Sequence, residues 1–259
     1  MDAETALREF LRPPPLVREL RREDEVLQIA EMSRVTLVPG TENDEEEIAV
    51  YQWGQEGRRV LLVHGWGGKA AQFFAFIETL RQRGFSVAAF DAPAHGRSTG
   101  TLSSGPAFAR TARKVAELKG PFYGLVAHSL GAAGSAIALS QGLQVERAAL
   151  LAPVAFIEPL LELFIRLRQI AEPVASELRQ RFAARYEAKI ISVPMLAKNA
   201  TVPVLIQHDP DDGSLPFWHS ESIAASWPGA ELVPVPGTGH WRILRDRTVV
   251  ERTANFLEA

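Results

Sequence analysis

From Val60 onward, short unbroken apolar runs alternate with stretches of helical apolar spacing. The runs cover 60–63, 87–90, 124–127, 148–151, 202–207 and 232–235. Residues that are apolar at consecutive positions fit strands covered on both faces, and the intervening helical stretches supply the right-handed crossovers of a parallel sheet. The pattern predicts an α/β body built on a mostly parallel, doubly wound sheet flanked by helices. Ahead of it, runs at 34–38 and 48–53 enclose the polar stretch 41–47, which predicts an antiparallel hairpin with a solvated acidic turn. The first 33 residues read as an arm packed on the body: after Pro13, Pro14 and Pro15, helical spacing at Leu16, Leu20, Leu27 and Ala30 predicts a helix over 16–32.

One interval breaks the alternation. About fifty residues separate the strand ending near Leu151 from the one starting near Val202, where a simple crossover uses roughly fifteen to thirty. Within it, Leu160, Leu163, Phe164, Leu167 and Ile170 share one helical face, and Val174, Leu178 and Phe182 recur at four-residue spacing after Pro173. The reading is a helical cap inserted at 156–200 into a core of 34–155 and 201–259, placed where a lid or substrate-facing wall would sit.

At 259 residues and 46% hydrophobic content, the chain is long enough to bury one large core. A net charge of −3 argues against nucleic acid or an anionic membrane surface as partner and leaves small molecules. The absence of cysteine removes thiolate nucleophiles, disulfides and sulfur-ligated metals, and suits a reducing compartment. Residues 1–10 lack the basic-then-apolar order of a signal peptide, and no apolar run approaches the roughly 18 residues that span a bilayer, so a cytoplasmic location is expected.

The candidate chemistry starts at residues 124–132, where a strand runs into Ser129 and directly on into a helix of small residues. A serine on so tight a turn is forced toward positive φ, and the residues two before and two after it, Ala127 and Gly131, must be small for the backbones to pass. The helix starting behind Ser129 aims N–H groups at the oxygen that becomes negative during attack. Upstream, the strand 60–63 opens into His64-Gly-Trp-Gly-Gly, whose glycines let the loop fold close to Ser129. The backbone N–H groups of Leu130 and Trp66 are the natural oxyanion donors. A phosphate-cradling turn is the other reading of this loop, but neither dinucleotide nor P-loop spacing is present.

A serine hydroxyl needs a base, and six histidines compete for the role. His64 and His128 sit beside the loop and the turn, His95 in a turn after a strand, His208 at a strand end and His219 in the following helix. His240 follows the last strand through Pro236-Gly-Thr-Gly, which can lift an imidazole over the carboxyl edge of the sheet. Candidates for the acid that orients it lie between the two in the chain, where Asp209, Asp211 and Asp212 crowd one strand end: Asp212 lies deepest in the turn, Asp209 and Asp211 are its rivals, and a carboxylate elsewhere is the remaining alternative. The same crowding suggests a divalent-cation site, but the order of an EF-hand loop is missing, so neither metal nor other cofactor is expected.

Together these stretches resemble the α/β-hydrolase family over residues 34–259, in the chain order Ser, Asp, His that the family uses. The glycine loop after the third strand, 91–98 after the fourth, the serine turn after the fifth and the His-x-x-x-Asp turn at 208–212 are its familiar motifs. Two departures stand out, Ala127 and Asp209, where the family has glycine. The resemblance implies the α/β-hydrolase fold with a small helical cap and the triad Ser129, Asp212 and His240. It also implies hydrolysis of a carboxylic ester of a small, partly apolar substrate. The same residues would serve amide or thioester cleavage, acyl transfer or cofactor-free perhydrolysis, and a binding protein on this fold is the remaining alternative.

Overall fold

The computed structural model describes residues 1–15, 20–38, 45–186 and 192–259. One eight-stranded sheet runs through it. The strands are β1 (Glu31–Leu37), β2 (Glu46–Trp53), β3 (Arg59–Val63), β4 (Ser86–Phe90), β5 (Gly124–His128), β6 (Arg147–Leu151), β7 (Val204–His208) and β8 (Glu231–Pro234). Their order is β1-β2-β4-β3-β5-β6-β7-β8; β2 is antiparallel to both neighbours and all pairs from β4 to β8 are parallel. This is the mostly parallel, helix-flanked sheet that the pattern of runs predicted, and it is the α/β-hydrolase fold that the resemblance implied. All six parallel strands therefore end at one edge, and loops leaving that edge are where side chains from distant parts of the chain can meet.

The consecutive apolar residues of each strand serve two cores. Leu61 and Val63 of β3 face a layer containing Phe108 and Ala112 of α4 (Gly105–Lys119) and Ala133 and Ile137 of α5 (Leu130–Ser140). Val60 and Leu62 face Phe76 and Leu80 of α3 (Phe74–Gln82) and Val250 and Leu257 of α11 (Arg247–Glu258). Local caps set the helix starts: Ser104 accepts from Ala107 N–H at 3.1 Å ahead of α4, and Asp246 from Val249 N–H at 3.1 Å ahead of α11. The edge strand β8 differs from the prediction of a strand covered on both faces, since Glu231 and Pro234 are exposed and Leu232 and Val233 only half-buried. A prolyl residue and a charge at a sheet edge deny a pairing surface to another chain.

Two further expectations are corrected. Of the helix read over 16–32, positions 16–19 lie outside the described residues; α2 covers Arg21–Gln28, and β1 begins at Glu31. There the antiparallel ladder to Gln52 and Tyr51 overrides the helical spacing. In the acidic stretch, 39–44 lie outside the described residues, but Glu46 and Glu47 are not solvated turn residues: they open β2. Glu46 is fully buried against the Arg110 guanidinium, 3.0 Å away, and Glu47 accepts from the Thr36 hydroxyl at 2.6 Å.

Between β6 and β7 stand α6 (Glu158–Leu167), α7 (Val174–Arg185) and α8 (Val193–Ala197). Val193 and Ala197 of α8 pack into the body, whereas Leu161, Ile165, Leu178 and Phe182 of α6 and α7 form a separate cluster with Ala3, Ala6 and Leu7 of α1 (Ala3–Phe10). The apolar face read from sequence at 160, 163, 164, 167 and 170 is divided: Phe164 and Ile170 pack against this cluster and Leu160 against the body, while Leu160, Leu163, Phe164 and Leu167 also line a cavity. Among the described residues no helix is long and apolar enough to cross a membrane.

Candidate active site

Ser129 sits between β5 and α5 at φ 51° and ψ −119°, the strained conformation its position demands. Gly131 shows why the turn tolerates nothing larger two residues on: an added Cβ would lie 2.1 Å from the His64 carbonyl oxygen and 2.8 Å from that of Val63. Ala127, by contrast, lies fully buried inside β5 in register with Val63 and Leu150, and its methyl group is accommodated. A Cβ on Gly65 would meet His128 Nδ1 at 2.8 Å and Ser129 Cβ at 3.0 Å, so the bare backbone at 65 lets the loop after β3 come up against the serine.

Ser129 Oγ lies 3.0 Å from His240 Nε2, and His240 Nδ1–H donates to Asp212 Oδ2 at 2.6 Å. The three residues form one hydrogen-bonded line at the carboxyl edge of β5, β7 and β8. Asp212 is held by more than His240. Its Oδ1 accepts from the N–H groups of Ser214 (2.7 Å) and Leu215 (3.1 Å), and its Oδ2 also lies 3.2 Å from His208 Nε2. Burial opposes the charge on this carboxylate, but the bonds from His208, His240 and Ser214 outweigh it and hold its pKa well below the usual carboxylate range. His208 is turned by Ser220 of α9 (Trp218–Ser226), whose hydroxyl donates to Nδ1 at 2.8 Å, leaving Nε2–H for Asp212 and the Leu215 carbonyl. Sequence reasoning left His208 as the end of a strand; its spacing of four from Asp212 across a turn was the available signal.

The rival carboxylates do other things. Asp209 Oδ2 accepts from Gly239 N–H at 2.5 Å and its Oδ1 from Asp211 N–H at 3.0 Å, so it fastens the loop that carries His240. Asp211 is exposed. That loop turns at Gly237 and Gly239 (φ 79° and 58°) into α10 (Gly239–Arg242) and is tied further by His128, whose Nε2–H donates to the His240 carbonyl at 2.9 Å. Among the described residues no group of three or more His, Asp or Glu side chains is arranged for a metal ion.

Opposite them lies the loop after β3. His64 Nδ1–H donates to the Gly65 carbonyl (2.7 Å), and its Nε2 accepts from Ala92 N–H (2.9 Å). His95 Nδ1–H donates to the Pro93 carbonyl (2.8 Å), and its Nε2 accepts from Gly67 N–H at 3.1 Å. Both rings are therefore neutral, and burial pushes their pKa values down to about 4 and about 3. The turn residue His95 is thus a brace for the glycine loop, which sequence alone did not reveal. With Gly67 N–H engaged there, the N–H groups of Trp66 and Leu130 donate no hydrogen bond among the described residues, and both residues line the cavity that reaches Ser129. The arrangement can activate a hydroxyl, stabilise a negative oxygen beside it, and pass a proton to a departing group.

The profile of the alpha/beta hydrolase family matches residues 60–252. None of the curated proteins compared matches the sequence. Similar solved structures include a membrane phospholipase A described as a bacterial virulence factor, at TM-score 0.68 and 19% identity over 99% of this chain and 91% of that one. A bromoperoxidase from Bacillus anthracis aligns at TM-score 0.68 and 17% identity over 89% of this chain and 100% of that one. The esterase EaEST from Exiguobacterium antarcticum aligns at 0.65 and 18% over 83% and 96%. At these identities the likeness is one of fold.

Proposed function

The chain belongs to the alpha/beta hydrolase family, and from that premise we propose that it is a serine hydrolase cleaving a carboxylic ester of a small, partly apolar substrate. The observation that carries this reading is the unbroken line from Ser129 Oγ through His240 to the buried Asp212 carboxylate, with segments of 3.0 and 2.6 Å.

In this reading Ser129 Oγ attacks the ester carbonyl while His240 Nε2 takes its proton. The carbonyl oxygen becomes an oxyanion and is met by the free N–H groups of Leu130 and Trp66, donors that need no reorganisation during the step. Asp212 keeps Nδ1–H of His240 pointed at itself, which leaves Nε2 as the base and stabilises the imidazolium. His240 then returns the proton to the leaving alkoxide, and the alcohol departs. A water repeats the cycle on the acyl-enzyme, giving the carboxylic acid and free Ser129.

The test pairs a short-chain nitrophenyl ester with a fluorophosphonate probe, on wild type and Ser129→Ala. Turnover and labelling are expected in wild type and neither in the variant. Labelling that persists in Ser129→Ala removes Ser129 as nucleophile, and a folded wild type that neither labels nor turns over leaves a binding protein on the hydrolase fold.

A further inference from the structure

A cavity of about 980 Å³ opens above Ser129. One wall is α6, whose Leu160, Leu163, Phe164 and Leu167 form an i, i+3, i+4, i+7 stripe facing inward. The facing wall comes from the other end of the chain, residues 5 and 8–15. Helix α1 is docked on α7 through Ala3, Ala6 and Leu7, and Phe10 packs against Phe164 and Phe182 with ring centroids 5.4 and 5.8 Å away. Ion pairs join both ends of α1 to this layer, Glu4 with Arg181 at 3.1 Å and Glu9 with Arg168. Beyond α1 the chain crosses back to the body. The Leu11 carbonyl accepts from Ser103 N–H at 2.8 Å, and Pro14 lies so close to Gly67 that a Cβ there would stand 2.9 Å from its Cγ. Three prolines in a row, each with fixed φ, make this crossing stiff.

The cavity is lined by Ser129, Leu130 and Trp66, but not by His240. A departing alkoxide must lie at His240 to receive its proton, so the limb of an ester that fills the cavity is the acyl limb. Along α6, Leu160 and Leu167 are separated by about 10 Å at ~1.5 Å per residue. An extended chain advancing roughly 1.3 Å per carbon, from C–C bonds of ~1.5 Å, covers that with about eight carbons.

Resting on the serine-hydrolase reading, we infer that residues 5 and 8–15 form the second wall of an acyl site for medium-chain carboxylic esters, with Phe10 as the residue that gauges chain length. The arm is then part of the substrate site and not only a surface attachment.

Nitrophenyl esters from acetate to laurate test this on the full chain. In wild type, kcat/KM is expected to rise about fourfold per added methylene up to octanoate and then level. Phe10→Ala is expected to lower the octanoate-to-acetate ratio of kcat/KM by roughly 15-fold, the worth of two methylenes. A readout independent of turnover uses the fact that the chain has no cysteine, so Phe10→Cys carries its sole thiol. Thiol labelling there should be strongly slowed after an octylphosphonate is attached to Ser129 and unchanged after a methylphosphonate. A flat chain-length profile, an unchanged ratio in Phe10→Ala, or equal labelling under both phosphonates overturns the inference. If acetate is still turned over in those cases, the serine-hydrolase reading stands without it; if no ester reacts and no phosphonate attaches, both fall.

Discussion

Asp209 is where a carboxylate with no place in the reaction should nevertheless control its rate. It is buried at the end of β7, and the charge-assisted bond from Gly239 N–H at 2.5 Å holds the backbone one residue before His240. Asp209→Ala removes that bond and the one from Asp211 N–H, each worth about 1.5–3 kcal/mol with a charged acceptor. Part of this returns when water reaches the freed N–H groups, so a net destabilisation of about 2–3 kcal/mol is expected. The loop keeps other ties, among them His128 to the His240 carbonyl at 2.9 Å, Thr238 Oγ–H to the Val235 carbonyl at 2.9 Å and Arg242 Nη2 to the Gly237 carbonyl at 2.7 Å. Since a displacement of ~1 Å in a catalytic group costs up to about 100-fold, partial loss of the anchor should lower kcat by roughly 10- to 100-fold. KM should hardly move, because Asp209 does not line the cavity. Asp209→Asn keeps an acceptor in place and should recover part of the rate. The assay is steady-state ester turnover beside the rate of phosphonate labelling, with thermal melting to show that each variant is folded. A folded Asp209→Ala with unchanged kcat would refute the anchoring argument, and a loss larger than that of Asp212→Asn would reverse the two carboxylates' roles.

Three other outcomes are expected. Asp212→Asn should cut kcat by up to about 10⁴-fold and also lower the melting temperature, as steady-state assay and calorimetry would show, because the amide favours the wrong tautomer of His240 and loses the charge that His208, His240 and Ser214 bind. Gly131→Ala should not yield a folded, active enzyme, since its Cβ would stand 2.1 Å from a backbone oxygen; wild-type melting behaviour would contradict this. Buried His64, with its pKa pushed down to about 4, binds protons more weakly folded than unfolded, where it titrates near 6.5. Stability should be full above that value and fall as pH drops toward 4, by about 3 kcal/mol from His64 with a further loss from His95. Denaturant midpoints that do not change between pH 7.5 and 5 would count against the neutral-imidazole account.

How far the sequence carries depends on whether a constraint is local. Five strands, β3 to β7, were legible because unbroken apolar runs mark burial on two faces; β8 was legible as a strand too, but its burial was misread because its run resembles the others while its place at the sheet edge depends on topology. Ser129 stood out because a strand, a serine and a small-residue helix adjoin in the chain. Asp212 was preferred over Asp209 and Asp211 for its depth in the turn and for a family likeness, although all three crowd the same strand end. What tells them apart is the direction of each side chain, one toward His240 Nδ1 and another toward Gly239 N–H. The pairing of His95 with Gly67, 28 residues apart in the chain, has no periodic signature at all.

The arm shows the same limit at larger scale. Helical spacing at 160, 163, 164 and 167 was visible, yet amphipathicity says only that a face avoids water, not whether protein or substrate covers it. In the structure Leu161 and Ile165, one position along, are buried against α1 and α7 with Phe164 packed beside them, while Leu160, Leu163, Phe164 and Leu167 line the cavity, with Leu167 72% exposed. A stripe that made only internal contacts would be buried throughout, as Leu161 and Ile165 are. One graded from half-buried Leu160 to exposed Leu167 fits a surface that is completed when an apolar ligand arrives. The first fifteen residues, 114 or more positions from Ser129 in the chain, supply the facing wall because docking them on α7 brings Phe10 against Phe164.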